Sequence, residues 1–254
     1  GGGEGGGALG MSGIRIGQIC LVARHLEPVV EQLQSVLELP VCHRDPGVGK
    51  YGLENALFPI GDKFLEVVAP VRDGTTAGRY LDRRGGDGGY MVITQCDDLA
   101  PRRKPGEALP VRIANEIGYP EYHELQLHPR DVGAAMLSFA WQAGARAPGG
   151  PWHPAAWHGE GEPGGAASLI RAMAAAELQS EDPDRLAHRW SDLIERPVRV
   201  QDGQRLIALD DATLRFTEAT DGRGEGLAGL DLMCADPARR GLVLISGIRF
   251  RLLA

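Results

Sequence analysis

Apolar positions change their spacing along the first part of the chain in a way that predicts a strand, a helix and then further strands. Apolar residues dominate Ile14–Val22, as expected of a buried strand. The next apolar positions recur at helical spacing, with a proline in the first turn: Leu26, Val29, Val30, Leu33, Val36 and Leu37, with Pro28. A turn-rich stretch follows, and then Leu53–Ile60 and Phe64–Ala69 flank the turn residues Gly61-Asp62. The pattern predicts a βαβββ unit.

The same order of elements recurs in the next stretch of the chain. Gly89–Gln95 has the composition of a strand, and Asp97–Ala108 is predicted to be a helix interrupted by two prolines. Three more strand patterns complete the unit: Val111–Glu116, Tyr122–Leu127 and Ala134–Trp141. Two consecutive units of this kind predict one domain.

Glycine, proline and alanine crowd Arg146–Ala166, which predicts a linker after the first domain. Trp152-His153 and Trp157-His158 lie inside this stretch. Two histidines at this spacing could belong to a metal site or an aromatic clamp, but a linker that docks through its tryptophans accounts for the same residues.

A duplicated helix sequence indicates that the unit occurs again in the second half. LAHRWSDLIERPV (Leu186–Val198) aligns without gaps with VVEQLQSVLELPV (Val29–Val41), and both segments end in Pro-Val. Asp182 is predicted to cap this helix and Pro183 to occupy its first position. Strands are predicted near Val198–Gln201, Arg205–Leu209 and Thr213–Thr217, and for a short fourth unit at Gly229–Cys234, Leu242–Ile245 and Ile248–Leu252.

The chain is therefore expected to have an α+β fold of tandem βαβββ repeats, which form two cup-shaped domains with the second one trimmed. The first domain is expected over residues 14–145 and the second over residues 167–254, with residues 146–166 as the linker. Gly1–Gly10 is followed directly by Met11, so residues 1–13 are interpreted as a tag or a disordered extension.

Composition narrows the classes of protein to consider. The 254 residues carry a net charge of −7, which disfavours a nucleic-acid partner because phosphate backbones would be repelled. Four cysteines without a CxxC pair, and the lack of a signal peptide or a long apolar run, predict a cytoplasmic protein without a membrane partner. The expected partner is a small-molecule ligand, and the chain is expected to be a monomer or a homodimer.

Local motifs in the first half add a family resemblance. They are FLEVVAP (Phe64–Pro70), AGRYLDRRGGDGGY (Ala77–Tyr90), CDDL (Cys96–Leu99) and LHPRDVGAAMLSF (Leu127–Phe139). In order and spacing they resemble the motifs of methylmalonyl-CoA epimerases, which belong to the vicinal-oxygen-chelate superfamily together with the glyoxalases. The resemblance covers roughly Ile14–Trp141. It implies glyoxalase-like domains in which two βαβββ units curl into a cup with a metal at its base.

The resemblance also implies where metal ligands should lie. The family uses a histidine on the first strand, a histidine on the first strand of the second unit and a glutamate after the His-Pro turn, and these positions match Gln18, Met91 and Ser138. A thioether prefers soft ions and a neutral hydroxyl is a weak ligand for divalent cations. The metal site is therefore expected to be lost, with no cofactor. In the second half Ala175 matches Gln18, which favours a structural role for that half.

Alternation along the strands predicts the lining of the first cup. It consists of Ile16, Gln18, Cys20, Phe64, Glu66, Val68, Met91, Ile93, Met136 and Ser138. Glu66 matches a carboxylate that the epimerases retain in or near their site, and it is the candidate catalytic residue. Burial would raise the pKa of such a carboxyl group toward the range of a general base. The candidate ligand-binding residues are Gln18, Asn55, Phe64, Tyr90, Met91, His128 and Ser138.

Structural roles are the alternatives for several of these residues. Glu66 could instead form an ion pair with Arg79 or Arg112 at the mouth of the cup. His128, next to a proline, could cap a turn. The methionines of the lining could simply fill space.

Three functional hypotheses follow. The first is a protein that binds a small amphipathic molecule in the apolar cup of the first domain, without a metal. The second is a lyase or isomerase in which Glu66 is the general base of an epimerase-like proton abstraction and Gln18 orients the substrate. The third is a metal-dependent enzyme with a divalent ion on shifted ligands, namely Gln18, Glu66 and either His123 or His128.

Overall fold

The computed structural model describes residues 13–103, 110–144 and 168–254. In these residues the chain forms two mixed sheets of seven strands each. The glycine-rich start and the predicted linker at Arg146–Ala166 lie outside the described residues, so those interpretations stay predictions. None of the described helices has the length and apolar character that crossing a bilayer requires.

The first sheet contains β1 (Ile14–Val22), β2 (Leu53–Ile60), β3 (Lys63–Pro70), β4 (Gly88–Cys96), β5 (Ile113–Tyr119), β6 (Tyr122–Leu127) and β7 (Met136–Gln142). Its helices are α1 (Leu26–Leu37), α2 (Thr76–Arg84) and α3 (Pro129–Val132). The strand order is β2-β3-β1-β4-β7-β6-β5. In each unit the last strand runs parallel to the first, and the two units join where β1 and β4 pair antiparallel. This arrangement is that of two βαβββ units side by side.

Three elements of the first half differ from the predicted pattern. The second strand of the first unit is reduced to a single bridge between His43 and Leu57. Helix α2 has no counterpart in the predicted pattern. The prediction of a helix at Asp97–Ala108 is wrong for the residues described, which form only one 3-10 turn, Pro101–Arg103. Prolines remove the backbone donors that a longer helix needs.

The second sheet contains β8 (Ile170–Ser180), β9 (Val198–Gln201), β10 (Gln204–Ala208), β11 (Thr213–Glu218), β12 (Gly226–Cys234), β13 (Gly241–Ile245) and β14 (Ile248–Leu253), with α4 (Pro183–Ile194) after β8. Its order is β13-β14-β12-β8-β11-β10-β9. The third unit is complete. The fourth has three strands and only a 3-10 turn, Pro237–Arg239, in place of a helix, so the last unit is trimmed as predicted.

The duplicated helix sequence corresponds to duplicated structure. Aligned positions of α1 and α4 are buried in pairs: Val29 with Leu186, Val30 with Ala187, Leu33 with Trp190, and Leu37 with Ile194. Both helices end at a glutamate in the left-handed conformation, Glu38 and Glu195. Asp182 caps α4 as predicted, because its carboxylate accepts a hydrogen bond of 3.1 Å from the Arg185 amide.

One apolar core extends through both halves of the molecule. Trp190 of α4 packs edge-on against Phe216, with ring centroids 6.2 Å apart, and its indole donates a 3.1 Å hydrogen bond to the Gly133 carbonyl of the first half. The sheets also meet where β4 passes β12. A Cβ atom at Gly89 would lie 2.4 Å from the Leu227 side chain, so this approach requires glycine. The opposite face of the first sheet carries a separate, smaller apolar cluster.

Candidate functional site

A cavity of about 920 Å³ lies over the smaller apolar cluster of the first sheet. Its walls include the apolar side chains Leu57, Val68, Tyr90, Met91, Ile93 and Met136, and residues of α2 line one side. Its volume is in the range of small-molecule sites. The cup predicted for the first half is therefore an open, lined cavity.

The base of the cavity holds a buried carboxylate, Glu66, which is 8% exposed. Its two oxygens accept hydrogen bonds from different amides: Gln18 Nε2 donates to Oε2 at 2.6 Å, and Asn55 Nδ2 donates to Oε1 at 2.9 Å. The Asn55 amide is itself oriented, because its oxygen accepts from the Asp45 amide at 2.8 Å. Three residues predicted from the sequence thus form one hydrogen-bonded group.

The arginines considered as partners of Glu66 make other contacts. Arg112 forms an ion pair with Asp131 at 2.8 Å. Arg79 donates to the Gly74 carbonyl at 2.8 Å and to Thr76 Oγ1 at 3.1 Å. Within the described ranges Glu66 forms no ion pair, so the alternative of an ion pair at the mouth is wrong.

Burial raises the pKa of Glu66, and the negative charge of Glu124 raises it further. The hydrogen bonds from Asn55 and Gln18 act in the opposite direction, but the net shift of the Glu66 pKa is upward. Burial and the neighbouring Glu66 also raise the pKa of the Cys20 thiol well above its ordinary value. The thiol consequently stays neutral, and its Sγ donates to the Leu21 carbonyl at 3.5 Å.

A second buried carboxylate, Glu124 of β6, also lines the cavity and is 3% exposed. It accepts hydrogen bonds from Tyr122 Oη at 2.7 Å, Ser138 Oγ at 2.7 Å and Gln126 Nε2 at 3.0 Å. These donors, like those of Glu66, are all neutral. Among the described residues, the two carboxylates at the base of the cavity therefore accept hydrogen bonds from amides and hydroxyls rather than from cations.

Glu124 is not among the site residues predicted from the sequence, although the residue pattern of β6 points to it. Tyr122, Glu124 and Gln126 alternate along β6 and all line the cavity. Period-two alternation places such residues on one face of a strand. The family resemblance points instead to the position of Ser138, whose hydroxyl donates a hydrogen bond to Glu124.

The remaining predicted residues lie on the cup side in different environments. Tyr90, Met91 and His128 line the cavity, and Phe64 is fully buried in the cluster beneath it. Ser138 is also fully buried and reaches the site only through Glu124. Gln18, Met91 and Ser138, the positions matching the family's metal ligands, thus belong to one cup.

Two β-bulges modify the predicted lining. The pairing of β1 with β4 shifts between Ile16 and Gln18, so Ile16 joins the shared core and its predicted place in the cup is wrong. A second shift between Cys20 and Leu21 lets consecutive residues, Tyr90 and Met91, both line the cavity. Strict alternation fails at such bulges.

The two histidines considered as shifted metal ligands do not meet at the base. The His123 ring contacts Trp141, with centroids 5.9 Å apart, and does not line the cavity. His128 lies at the mouth, and its Nδ1 accepts from the Arg130 amide at 3.3 Å as a helix cap. Among the described residues no three His, Cys, Asp or Glu side chains are grouped as metal ligands.

The equivalent face of the second sheet carries charge. The pairing of β11 with β8 places Arg215 opposite Glu177, as Glu66 lies opposite Cys20 in the first sheet. Arg215 forms ion pairs with Glu177 at 2.9 Å and with Asp231 at 2.7 Å. An internal ion network therefore occupies the position that the cavity-lining carboxylate Glu66 holds in the first sheet.

No family model matches the sequence, and no curated protein matches it. Among solved structures, a hypothetical protein from Staphylococcus aureus is similar at a TM-score of 0.65 and 11% identity, over 94% of this chain and 98% of that chain. A mutant of 4-hydroxymandelate synthase from Streptomyces coelicolor is similar at a TM-score of 0.65 and 14% identity, over 89% of this chain and 72% of that chain. Methylmalonyl-CoA epimerase from Mycobacterium tuberculosis covers 50% of this chain and 87% of its own, at a TM-score of 0.43 and 18% identity. The nearly full-length similarities show the predicted vicinal-oxygen-chelate fold, and at these identities they show the fold alone.

Proposed function

We propose that the cup of the first sheet binds a small amphipathic molecule without a metal ion, and that Glu66 anchors the polar end of that molecule. The observation that carries this proposal is a buried carboxylate, unpaired by any described cation, at the base of a cavity with apolar walls. Each carboxylate oxygen can accept more than one hydrogen bond. A hydroxyl or another proton donor of the ligand can therefore bind Glu66 while its apolar part packs against the walls.

The residues present do not fit the metal centre that the resemblance implies. Gln18 turns an amide N–H toward Glu66, Met91 offers a thioether, and the Ser138 hydroxyl is engaged by Glu124. Thioethers and neutral hydroxyls are poor donors for the hard divalent ions. The proposed binding mode accordingly uses the side chains alone.

Proton abstraction by Glu66 is the second candidate function. It is favoured by the upward shift of the Glu66 pKa, which brings a carboxylate nearer to the strength of an effective base at neutral pH. An enolate would also need a stabilising donor, and the hydroxyls of Tyr122 and Ser138 already donate to Glu124. Ligand binding is therefore the better supported of the two functions.

The variant Glu66→Gln is expected to bind n-octanol about tenfold more weakly than the wild type in isothermal titration calorimetry. A hydrogen bond to a charged acceptor contributes roughly 1.4 kcal/mol more than one to a neutral acceptor. Glu54→Gln, an exposed position on the same hairpin, is the matched control and should bind as the wild type does. Equal affinity of Glu66→Gln and the wild type would contradict the role of Glu66, and absence of wild-type binding would contradict the proposed function.

The same variant is expected to change how stability depends on pH. Because the folded-state pKa of Glu66 is raised, its ionisation opposes folding as pH climbs from the unfolded pKa, near 4.5, through the folded pKa. Urea unfolding at a series of pH values should show that Glu66→Gln gains stability relative to the wild type across this window. Its Gln18 neighbour can turn its amide to accept from the new side chain. If Glu66→Gln instead became less stable than the wild type as the pH rises toward neutral, Glu66 would be an anion that the fold stabilises.

A further inference from the structure

Basic side chains surround the mouth of the cavity without carboxylate partners. They are Lys50, Arg72, Arg79, Arg83 and Arg130, all exposed and all lining the cavity, and within the described ranges none forms an ion pair. Elsewhere in the described residues some exposed arginines form ion pairs, as Arg24 does with Asp82 and Arg44 with Glu27, and others such as Arg199 do not, but the five cations at the mouth are gathered around one cavity. In a chain with a net charge of −7, carboxylates are abundant, so a cluster of unpaired cations is a distinct local feature.

Helix α2 supplies the centre of this basic rim. Arg79 and Arg83 are four residues apart and therefore lie on the same side of the helix. Arg79 is held by the neutral acceptors Gly74 O and Thr76 Oγ1, and Arg83 lies over the Tyr80 ring at 6.0 Å. Asp45 is the acidic residue at the mouth, and its carboxylate accepts from the Gly47 amide. The rim consequently retains an excess of positive charge.

The base and the mouth of the cavity have opposite electrostatic character. Glu66 and Glu124 at the base accept from neutral donors only, so they repel an anion and attract proton donors. The arginines of α2 at the mouth attract an anion, and guanidinium groups match the geometry of carboxylates and phosphates. A molecule with two different polar ends would satisfy both regions in one orientation.

We propose, building on the proposed function, that the ligand is bipolar: a proton-donating group binds Glu66 and Glu124, an apolar body packs against the walls, and a carboxylate or phosphate is held by Arg79 and Arg83. The acidic base excludes the reverse orientation. The basic rim thereby selects small organic anions over neutral molecules of the same size and shape.

The test compares ω-hydroxyoctanoate with n-octanol, and their six- and ten-carbon counterparts, by isothermal titration calorimetry at low salt. The hydroxy acid of best-fitting length should bind the wild type about tenfold more tightly than its alcohol, and this preference should decrease in high salt because exposed charges are screened. The variant R79A/R83A should lose the preference, so that its affinities for the hydroxy acid and for the alcohol lie within about twofold of each other.

The control is R199A/R240A, which removes the same charge from exposed positions of the second half that do not line the cavity. It should keep the preference, and thermal melting monitored by circular dichroism should show that both double variants are folded. If the alcohols bind but the hydroxy acids gain nothing, or if the gain persists in R79A/R83A, the bipolar ligand is refuted while the cup keeps its proposed function. If neither class of probe binds the wild type, both proposals fail.

Discussion

Replacement of Arg215 by methionine is expected to lower the free energy of unfolding by about 3–5 kcal/mol. Arg215 is buried in the second sheet and binds Glu177 at 2.9 Å and Asp231 at 2.7 Å. Hydrogen bonds from Arg249 and Arg215 lower the pKa of Glu177 even though burial alone would raise it. Without Arg215, Glu177 would keep Arg249 and Asp231 would keep Arg251, both of which are partly exposed. The cause of the loss is that two buried carboxylates would then face each other with their charge only partly compensated.

Urea unfolding at neutral pH measures this effect, with Arg199→Met as the control because Arg199 is an exposed arginine of the same sheet. A loss below about 1 kcal/mol would show that the network is solvated rather than buried. The triple variant R215M/E177L/D231L should recover most of the stability, since replacing the buried members of an ion network by apolar residues is often neutral or stabilising and the remaining Arg249 and Arg251 are partly exposed. Failure of the triple variant to recover would contradict the proposed cause.

Truncation of Trp190 to alanine is expected to have a similar effect, about 3–5 kcal/mol. This side chain is fully buried, contacts Phe216 and donates to the Gly133 carbonyl of the first half. Because the core is continuous between the sheets, both halves should lose stability together.

The measurement is the unfolding transition followed separately by circular dichroism and by n-octanol binding to the first cup. Both signals should shift to lower urea concentration in Trp190→Ala and remain coincident. Leu244→Ala, a large exposed side chain on the edge strand β13, is the control and should leave the transition in place. A shift confined to the second half would show that the halves unfold independently.

The repeated helix is the part of the fold that the sequence predicts most directly. The gapless alignment of Val29–Val41 with Leu186–Val198 places four apolar residues of the first helix, Val29, Val30, Leu33 and Leu37, at positions that are buried in both helices. A helical period is set by local geometry, so it survives large changes in side-chain identity, such as Leu33 to Trp190. The predicted strands follow for the same reason.

The candidate site is predictable only in part, because its details depend on pairing between distant strands. The inward phase of Gln18 and Glu66 follows from alternation, but the bulge that turns Ile16 into the core depends on β4. Likewise, a carboxylate such as Glu124 becomes a site residue only when Tyr122 and Ser138 are brought to it by the sheet.

Helix α2 illustrates a different limit. Its apolar content is low, so hydrophobic periodicity gives little signal, and its ends are set by capping: Thr75 accepts from the Gly78 amide at 2.9 Å, and Gly85 ends the helix in the left-handed conformation. Caps of this kind are recognisable once sought.

A crystal structure of the protein soaked with n-octanol would show directly whether Glu66 anchors a ligand in the first cup. We expect one molecule in this cup, with its hydroxyl oxygen about 2.7 Å from a Glu66 carboxylate oxygen and its chain against Met91 and Met136, which line the cavity. Density for n-octanol only outside this cup, or inside it with the hydroxyl directed away from both Glu66 and Glu124, would show that Glu66 does not anchor the ligand.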